Sequence, residues 1–510
     1  MIERSGLRSF NQSRDEDDEP GTFQRTIMNP APSPIRRNVP ESVWLLMLIV
    51  AWGACVGLSL IVCGSGFLHP ESYSFLPHYL SGRPLLPLIF DNQVTDWNNY
   101  QARELSFVFD WIDAQFIVAS YRHGVAHFFS ASHYILLLVA GFALWRIASR
   151  HLALPRTVSL ALVLLLWTCP TAMLYSSYYR SAKVALLCTT LLTVWCWFMA
   201  RDERASFGVM RAILFGIAAA AMPMCDKLGL LFLFGITAFL AQQAFVRRST
   251  ADRHVLIAGI IATIFAWSYQ RWIGPAIVRH LVGYDVNAEH LSLSFSKLAD
   301  VRMLGTVFGG SALFTLDSFR IVFGHLSAGL AIFAAAWMCH ELAKHGPPAR
   351  PRWLGGGWLF AGLALFITAT FAAMLFVFPL MFSNEHRHFY YPLPAAALWL
   401  TTGAVAVAGY LRRRPEHSRW IVLIAVALAV GNLFDVQAER FLLRHGKYQP
   451  YFENAAHVRA ALVNPAATNI DPVKAAALLP QAPYLRDAVP PSLDQDRIFL
   501  VLRTQGKAPQ

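Results

Sequence analysis

The sequence predicts an all-α polytopic membrane protein of about eleven transmembrane helices, with a large first extracytoplasmic loop that carries an interfacial helix. Three observations predict it. Of 510 residues, 55% are hydrophobic and only 15% charged, a composition suited to a bilayer rather than to water. The charge gathers in short clusters between apolar runs of about 20 residues, the length that crosses a hydrocarbon core. The basic clusters, among them Arg146/Arg150/Arg156, Arg247/Arg248/Arg253 and Arg412/Arg413/Arg414/Arg419, fall in every second connection, as cytoplasmic loops do. That placement assigns the formal net charge of +12 to topology and excludes a nucleic-acid reading.

Taken in order, residues 1–42 are rich in Pro, Ser and Arg and hold the acidic run Asp15 to Glu19, too polar to fold alone, so a disordered cytoplasmic tail is expected. The apolar run 43–67 has no small-residue cleavage site and reads as a retained span. Residues 68–131 form the first outer loop. Within it Leu105, Phe109, Ile112 and Phe116 share one helical face and Arg103, Ser106 and Asp110 the other. This pattern predicts a helix lying along the membrane surface, apolar side down, with Asp110 and Asp113 on a solvated face.

Further spans are expected near 132–149, 157–175, 182–200, 208–224, 228–246, 255–273, 321–341, 357–381, 392–411 and 419–435. The fifth and sixth are divided only by "CDKLG", yet the alternation of basic loops requires both to cross. A membrane body of 43–435 is therefore followed by a small extracytoplasmic tail, 436–510, with one short strand at "RIFLVLR". An odd span count places the N-terminus in the cytoplasm and the C-terminus outside, in what is expected to be a bacterial plasma membrane. The seven cysteines lie in or beside apolar runs without a CxxC pair and read as small buried hydrophobes. The chain has no internal repeat and no paired Gly/Pro-interrupted spans, which counts against a transporter.

The short outer connections carry cations, although such loops are usually poor in Lys and Arg. They are "YSSYYRSAK", "CDKLG" and "SNEHRHFYYPLP". Gathered with the first loop, they place Arg180, Lys183, Lys227, His386, Arg387 and His388 near Asp96 and Glu104. A cationic pocket beside carboxylates, at headgroup depth, suits a sugar donor whose leaving group is a phosphate on an isoprenoid chain. Cations neutralise the charge that develops on the leaving phosphate, and a carboxylate opposite it takes the acceptor proton. Plainer readings stand beside these: Asp96 as a helix N-cap, Lys227 as an ion-pair partner of Asp226, and Tyr178, Tyr179, Tyr390 and Tyr391 as an interfacial belt. The spacing of "HRH" could suit a metal but has no third ligand, so no metal site is assigned.

At these residues the sequence resembles the polytopic GT-C glycosyltransferases that use polyprenyl-phosphate-linked sugars, a group including the protein O-mannosyltransferases and the aminoarabinose transferases of lipid A. "TDWNNYQAREL" supplies Asp96, Tyr100, Ala102, Glu104 and Leu105 in the order of their first-loop motif, and "NEHRHFYYPLP" supplies Glu385, Arg387, His388, Pro392 and Pro394 in that of a late loop. The resemblance implies an inverting sugar transfer with Asp96 as the catalytic carboxylate and Arg387 as a phosphate contact. Arg180, Lys183 and Lys227 are further phosphate contacts, with Tyr100 and Glu104 positioning sugar or acceptor.

Trp97 stands where the second acid of the family's pair is usual, so turnover without a metal or other cofactor is expected, with Glu104 and Asp91 left as possible second carboxylates. The expected partners are a polyprenyl-phosphate-linked sugar and a lipid-glycan, cell-wall or protein hydroxyl acceptor. Rival readings are a transporter or flippase of isoprenoid-linked sugars, a ligase or polymerase using a pyrophosphate-linked donor, and a scaffold that binds donor without turnover.

Overall fold

The computed structural model of the chain describes residues 39–63, 79, 83–91, 102–122, 130–175, 181–200, 208–226, 228–247, 250–286, 324 and 393–445. The chain divides into two units, Met1–Trp44 and Leu45–Gln510, and of the first only residues 39–44 are described. Every regular element among the described residues is helical. In chain order these are α1 (Glu41–Cys63), α2 (Leu85–Phe90), α3 (Glu104–Arg122), α4 (Ala131–Arg146), α5 (Arg156–Thr168), α6 (Pro170–Tyr175), α7 (Ala182–Ala200), α8 (Gly208–Cys225), α9 (Leu228–Arg247), α10 (Thr250–Ser268), α11 (Gly274–Val282), α12 (Leu393–Arg413) and α13 (Ser418–His445).

Among the described residues, six helical stretches are long and apolar enough to cross a membrane: Glu41–Ile61, Ala131–His151, Ala182–Ala200, Gly208–Cys225, Thr250–Val282 and Pro415–Ala438. Their outward stripes are aliphatic. Ile257, Ile261 and Ile264 of α10 stand one and two turns apart on a single exposed face, as do Ile213 and Ile217 of α8. Such stripes are unfavourable in water and neutral in lipid, which is why the integral-membrane reading follows from the fold as well as from composition.

α7 is the most enclosed of these helices and packs against α4, α8 and α12. It tolerates Thr190 and Thr193 in its buried face because each hydroxyl donates to a carbonyl one turn back, Leu186 at 2.7 Å and Thr189 at 2.7 Å. α1 is tied to α4 by Trp52 Nε1, which donates to the Tyr134 carbonyl at 2.9 Å, and by the Ser59 and Tyr134 hydroxyls, 3.1 Å apart. α4 meets α5 where the Trp167 ring covers Gly141, so closely that a Cβ at 141 would come within 2.6 Å of the indole nitrogen.

Several expectations from sequence are altered. The expected span 157–175 is two helices, because Pro170 has no N–H to donate and forces Cys169 before it into an extended conformation (φ −60, ψ 138). The expected span 255–273 continues through a π-helical turn at Tyr269–Ile273 into α11 and stops at Gly283, which adopts φ 88 and donates its N–H to the Arg279 carbonyl at 3.1 Å. α13 runs to His445, ten residues beyond the end of the expected last span. The expected spans 321–341 and 357–381, apart from Gly324, and the tail strand at 497–503 lie outside the described residues.

The helix of the first loop forms as expected, but its polar face is not solvated. Ser106, Asp110 and Asp113 are buried, while Ile112 and Phe116 are exposed. The polar groups turn inward because neighbouring elements offer them hydrogen-bond donors, so the face read as wet is the one that docks. This corrects the assignment of Asp110 and Asp113 to solvent.

The turn after "CDKLG" depends on Gly229. Its N–H donates to the Asp226 carbonyl at 2.7 Å. A Cβ there would strike the Met222 carbonyl group and lie 2.6 Å from the Pro223 nitrogen. These are backbone atoms that no rotamer change can move. Gly229→Ala is expected to destabilise the protein by about 1–3 kcal/mol, as overpacking does, read as a lowered thermal midpoint in detergent. An unchanged midpoint would mean that the α8–α9 turn is looser than drawn.

Candidate active site

The described parts of three of the four connections that the sequence groups together converge; the fourth, "SNEHRHFYYPLP", lies outside the described residues up to Pro392. α3 packs against the ends of α4, α7 and α8, and each junction is made by a carboxylate. Asp110 of α3 accepts the backbone N–H of Ser181 at 2.9 Å and its hydroxyl at 2.9 Å, while the same hydroxyl lies 3.0 Å from the Ser106 carbonyl. Ser181 is the last residue before α7, so this bond fixes where the connection "YSSYYRSAK" ends. Asp113, one turn along α3, accepts the Ser132 N–H at 2.7 Å, the Ser132 hydroxyl at 2.7 Å and the Ser130 hydroxyl. It therefore caps the first turn of α4, whose own N-cap Ser130 makes no side-chain cap bond. Burial pushes the Asp113 carboxyl up to about 7, against the pull of its Ser130 and Ser132 bonds.

The charged centre lies at the start of α3. Asp226, in the connection between α8 and α9, is fully buried, and its Oδ2 takes Lys183 Nζ of α7 at 2.8 Å and Arg103 Nη2 at 3.3 Å. Lys183 is 4% exposed and the Arg103 side chain 10%. Glu104, the first residue of α3, is also buried, its negative charge placed at the positive end of that helix.

The chain enters this centre through Ala102, which is buried at φ 49. A left-handed Ala costs roughly 1–2 kcal/mol, which the bonds and packing downstream must offset. Ala102→Val is expected to lower the thermal midpoint, since a β-branched residue fits this backbone poorly, while Ala102→Gly is expected to stay close to wild type. Equal behaviour of the two variants would contradict the left-handed conformation.

Of the residues the sequence singles out, Glu104 and Lys183 are described and are brought to one end of the helical bundle. Asp96, Tyr100, Arg180, Lys227, His386, Arg387 and His388 lie outside the described residues. Asp91, read as a possible second carboxylate, accepts a hydrogen bond from Arg83 Nη1 at 2.7 Å and another from the Tyr284 hydroxyl at 3.1 Å. Sequence reasoning missed Arg103 and Asp226 as members of the site. The signal was present, since an acid at the end of an apolar span needs a cation, but the adjacent Lys227 offered a simpler local partner than a lysine 43 positions away. Among the described residues no group of three or more His, Cys, Asp or Glu could hold a metal ion.

Comparison with known proteins adds three solved structures. The chain is similar to the oligosaccharyltransferase of Archaeoglobus fulgidus in complex with Zn and sulfate, at 13% identity and a TM-score of 0.42 over 88% of this chain and 58% of that one. It thus spans little more than half the length of that protein. It is also similar to ArnT from Cupriavidus metallidurans bound to undecaprenyl phosphate, at 11% identity and a TM-score of 0.38 over 92% of this chain and 88% of that one. The apo state of ArnT gives 10% identity and a TM-score of 0.38 over 92% and 90%. No family model and no curated protein matches.

Proposed function

We propose that the protein is an inverting glycosyltransferase that moves a sugar from a polyprenyl-phosphate donor to a hydroxyl of a lipid glycan, cell-wall polymer or protein at the outer face of the membrane. The observation that carries the reading is the buried meeting of Arg103, Lys183 and Asp226 where α3, α7 and the α8–α9 turn converge. Cations buried inside a membrane protein are costly, and Lys183 at 4% exposure and the Arg103 side chain at 10% are a functional sign. The motif residue Asp96 precedes Glu104 by eight positions in the loop leading into this centre.

In the proposed reaction the Asp96 carboxylate takes the proton of the acceptor hydroxyl as its oxygen forms a bond to the anomeric carbon. The bond from that carbon to the phosphate oxygen breaks, its electron pair staying on the phosphate. The products are a glycoside of inverted configuration and free polyprenyl phosphate. Phosphate leaves readily, so the leaving side needs positive charge more than a proton, and Arg387, Arg180, Lys183 and Lys227 are assigned to supply it with His386 and His388 beside them. Tyr100 and Glu104 position sugar or acceptor. No metal is assigned a role.

The test is release of free polyprenyl phosphate from a panel of labelled polyprenyl-phospho-sugars by the purified full chain. Release from one donor class, with a matching glycosylated product, supports the transferase. Movement of intact donor across a vesicle membrane, with no new glycosidic bond, would replace it with a flippase. Release only from pyrophosphate-linked donors would replace it with a ligase or polymerase.

A further inference from the structure

Asp91 closes a junction that the proposed mechanism does not use. The residue ends α2, and its side chain is 7% exposed. Its Oδ2 takes Arg83 Nη1 at 2.7 Å, and its Oδ1 takes the Tyr284 hydroxyl at 3.1 Å. Arg83 precedes the N-cap of α2, so the first bond joins the two ends of one short helix. Tyr284 stands 193 positions along the chain, so the second joins the first loop to the segment that follows α11. With both oxygens engaged and little surface, Asp91 is a poor second base and a good anchor.

Each partner is brought to this place by its own local structure. α2 has six residues, too few to hold a helix alone. It is kept by burial of Leu88, Ile89 and Phe90 and by packing on α3 and α11. α11 ends at Gly283, whose left-handed φ of 88 turns the chain out of the helix at the residue before Tyr284. The Arg83 side chain is 42% exposed, and an ion pair so open to solvent adds little stability by itself. Of the two bonds, that of Tyr284 is the one that crosses between distant elements.

What the junction anchors is the connection that carries Asp96. That connection starts directly after Asp91 and reaches Ala102, where the chain is buried at φ 49 and enters α3. Asp96 lies five positions from one fixed end and six from the other. Five extended residues reach at most about 18 Å, so a shift at Asp91 is passed along a short tether. A displacement of about 1 Å at a reacting group can cost about a hundredfold in rate, which gives a hydroxyl remote from the chemistry a means to act on it.

We propose that Tyr284 is a positioning residue for sugar transfer: through Asp91 it fixes the start of the connection that holds Asp96. The role rests on the transferase reading and on Asp96 as its base; the junction itself does not. In this role Tyr284 and Asp91 touch neither donor nor acceptor. Both have further contacts besides this bond, so the role is read from their coupling and not from either residue alone.

The test pairs hydrogen exchange with kinetics on the full chain in detergent. Tyr284→Phe keeps the ring and loses only the hydroxyl. It is expected to speed amide exchange across 92–101 about threefold or more, and to lower kcat about five- to tenfold with KM and thermal midpoint near wild type. Asp91→Ala is expected to fall at least as far in kcat, and adding Tyr284→Phe to it to cost nothing further. Exchange in Tyr284→Phe alone decides if Asp91→Ala folds poorly. Asp285→Asn, the exposed neighbour, is expected to change neither reading. Unchanged exchange or undiminished kcat in Tyr284→Phe, or losses that multiply in the double variant, would each overturn the proposal. So would a lowered midpoint with faster exchange in every peptide, the mark of a general structural role. Exchange is read whether or not the chain transfers sugar. Faster exchange across 92–101 with no transfer by wild type from any donor removes the transferase and keeps the junction, while normal transfer with exchange indifferent to Tyr284 removes the positioning role alone.

Discussion

Asp96→Asn is expected to slow sugar transfer by about two to four orders of magnitude, the usual worth of a general base, while leaving donor binding close to wild type. Asn matches the carboxylate in shape but cannot take a proton, so the loss falls on the chemical step and appears in kcat rather than KM. The control has to be a carboxylate without a structural task. Asp113 looked suitable from its place on an amphipathic pattern, but it caps α4 and is unfit for this use. Asp285 fits better, since it is 73% exposed and pairs with the equally exposed Arg279 beyond the end of α11. Asp285→Asn is expected to transfer at the wild-type rate. Undiminished transfer in Asp96→Asn would exclude the base and favour a pyrophosphate-linked donor, whose better leaving group asks less of the acceptor. A fall in donor affinity with kcat intact would make Asp96 a binding residue.

Much of the fold was legible because lipid imposes long, uniform apolar runs. The spans expected at 132–149, 182–200 and 208–224 meet helices within a few residues of their limits, and the division into two helices at "CDKLG" was expected from basic-loop alternation. What misled was local punctuation and the direction of polar faces. Pro170 broke a run that hydropathy treats as continuous, and the π turn at Tyr269 carried another past its apolar limit. For α3 the periodicity was right and its meaning was not. A period shows that two faces differ, not which one meets protein, and in a membrane protein the polar face can be the inner one. The candidate site was legible as a gathering of loops. Its pairings were not, because Lys183, Arg103 and Asp226 are joined only by the fold.

Asp113→Ala is expected to cost about 3 kcal/mol or more, the largest stability effect of any single change considered. The carboxylate accepts three buried donors, the Ser132 amide and the Ser130 and Ser132 hydroxyls, and each buried donor left open costs about 1–3 kcal/mol. The first turn of α4 would lose its cap, and α3 its carboxylate link to α4. Asp113→Asn separates shape from charge and adds a pH signature. Burial raises the folded-state carboxyl to about 7, above its unfolded value of about 4. Its contribution is then fully present below about pH 4 and is lost as pH rises to about 7. Asn cannot titrate, so the stability advantage of wild type over Asp113→Asn is expected to be largest near pH 4, to shrink up to about pH 7 and to stay constant above it. Thermal midpoints of the two proteins measured in parallel across that range check this directly. An advantage that grows with pH would mean that the three donors outweigh desolvation and hold Asp113 ionised, making it an anionic cap at the start of α4 rather than a neutral one.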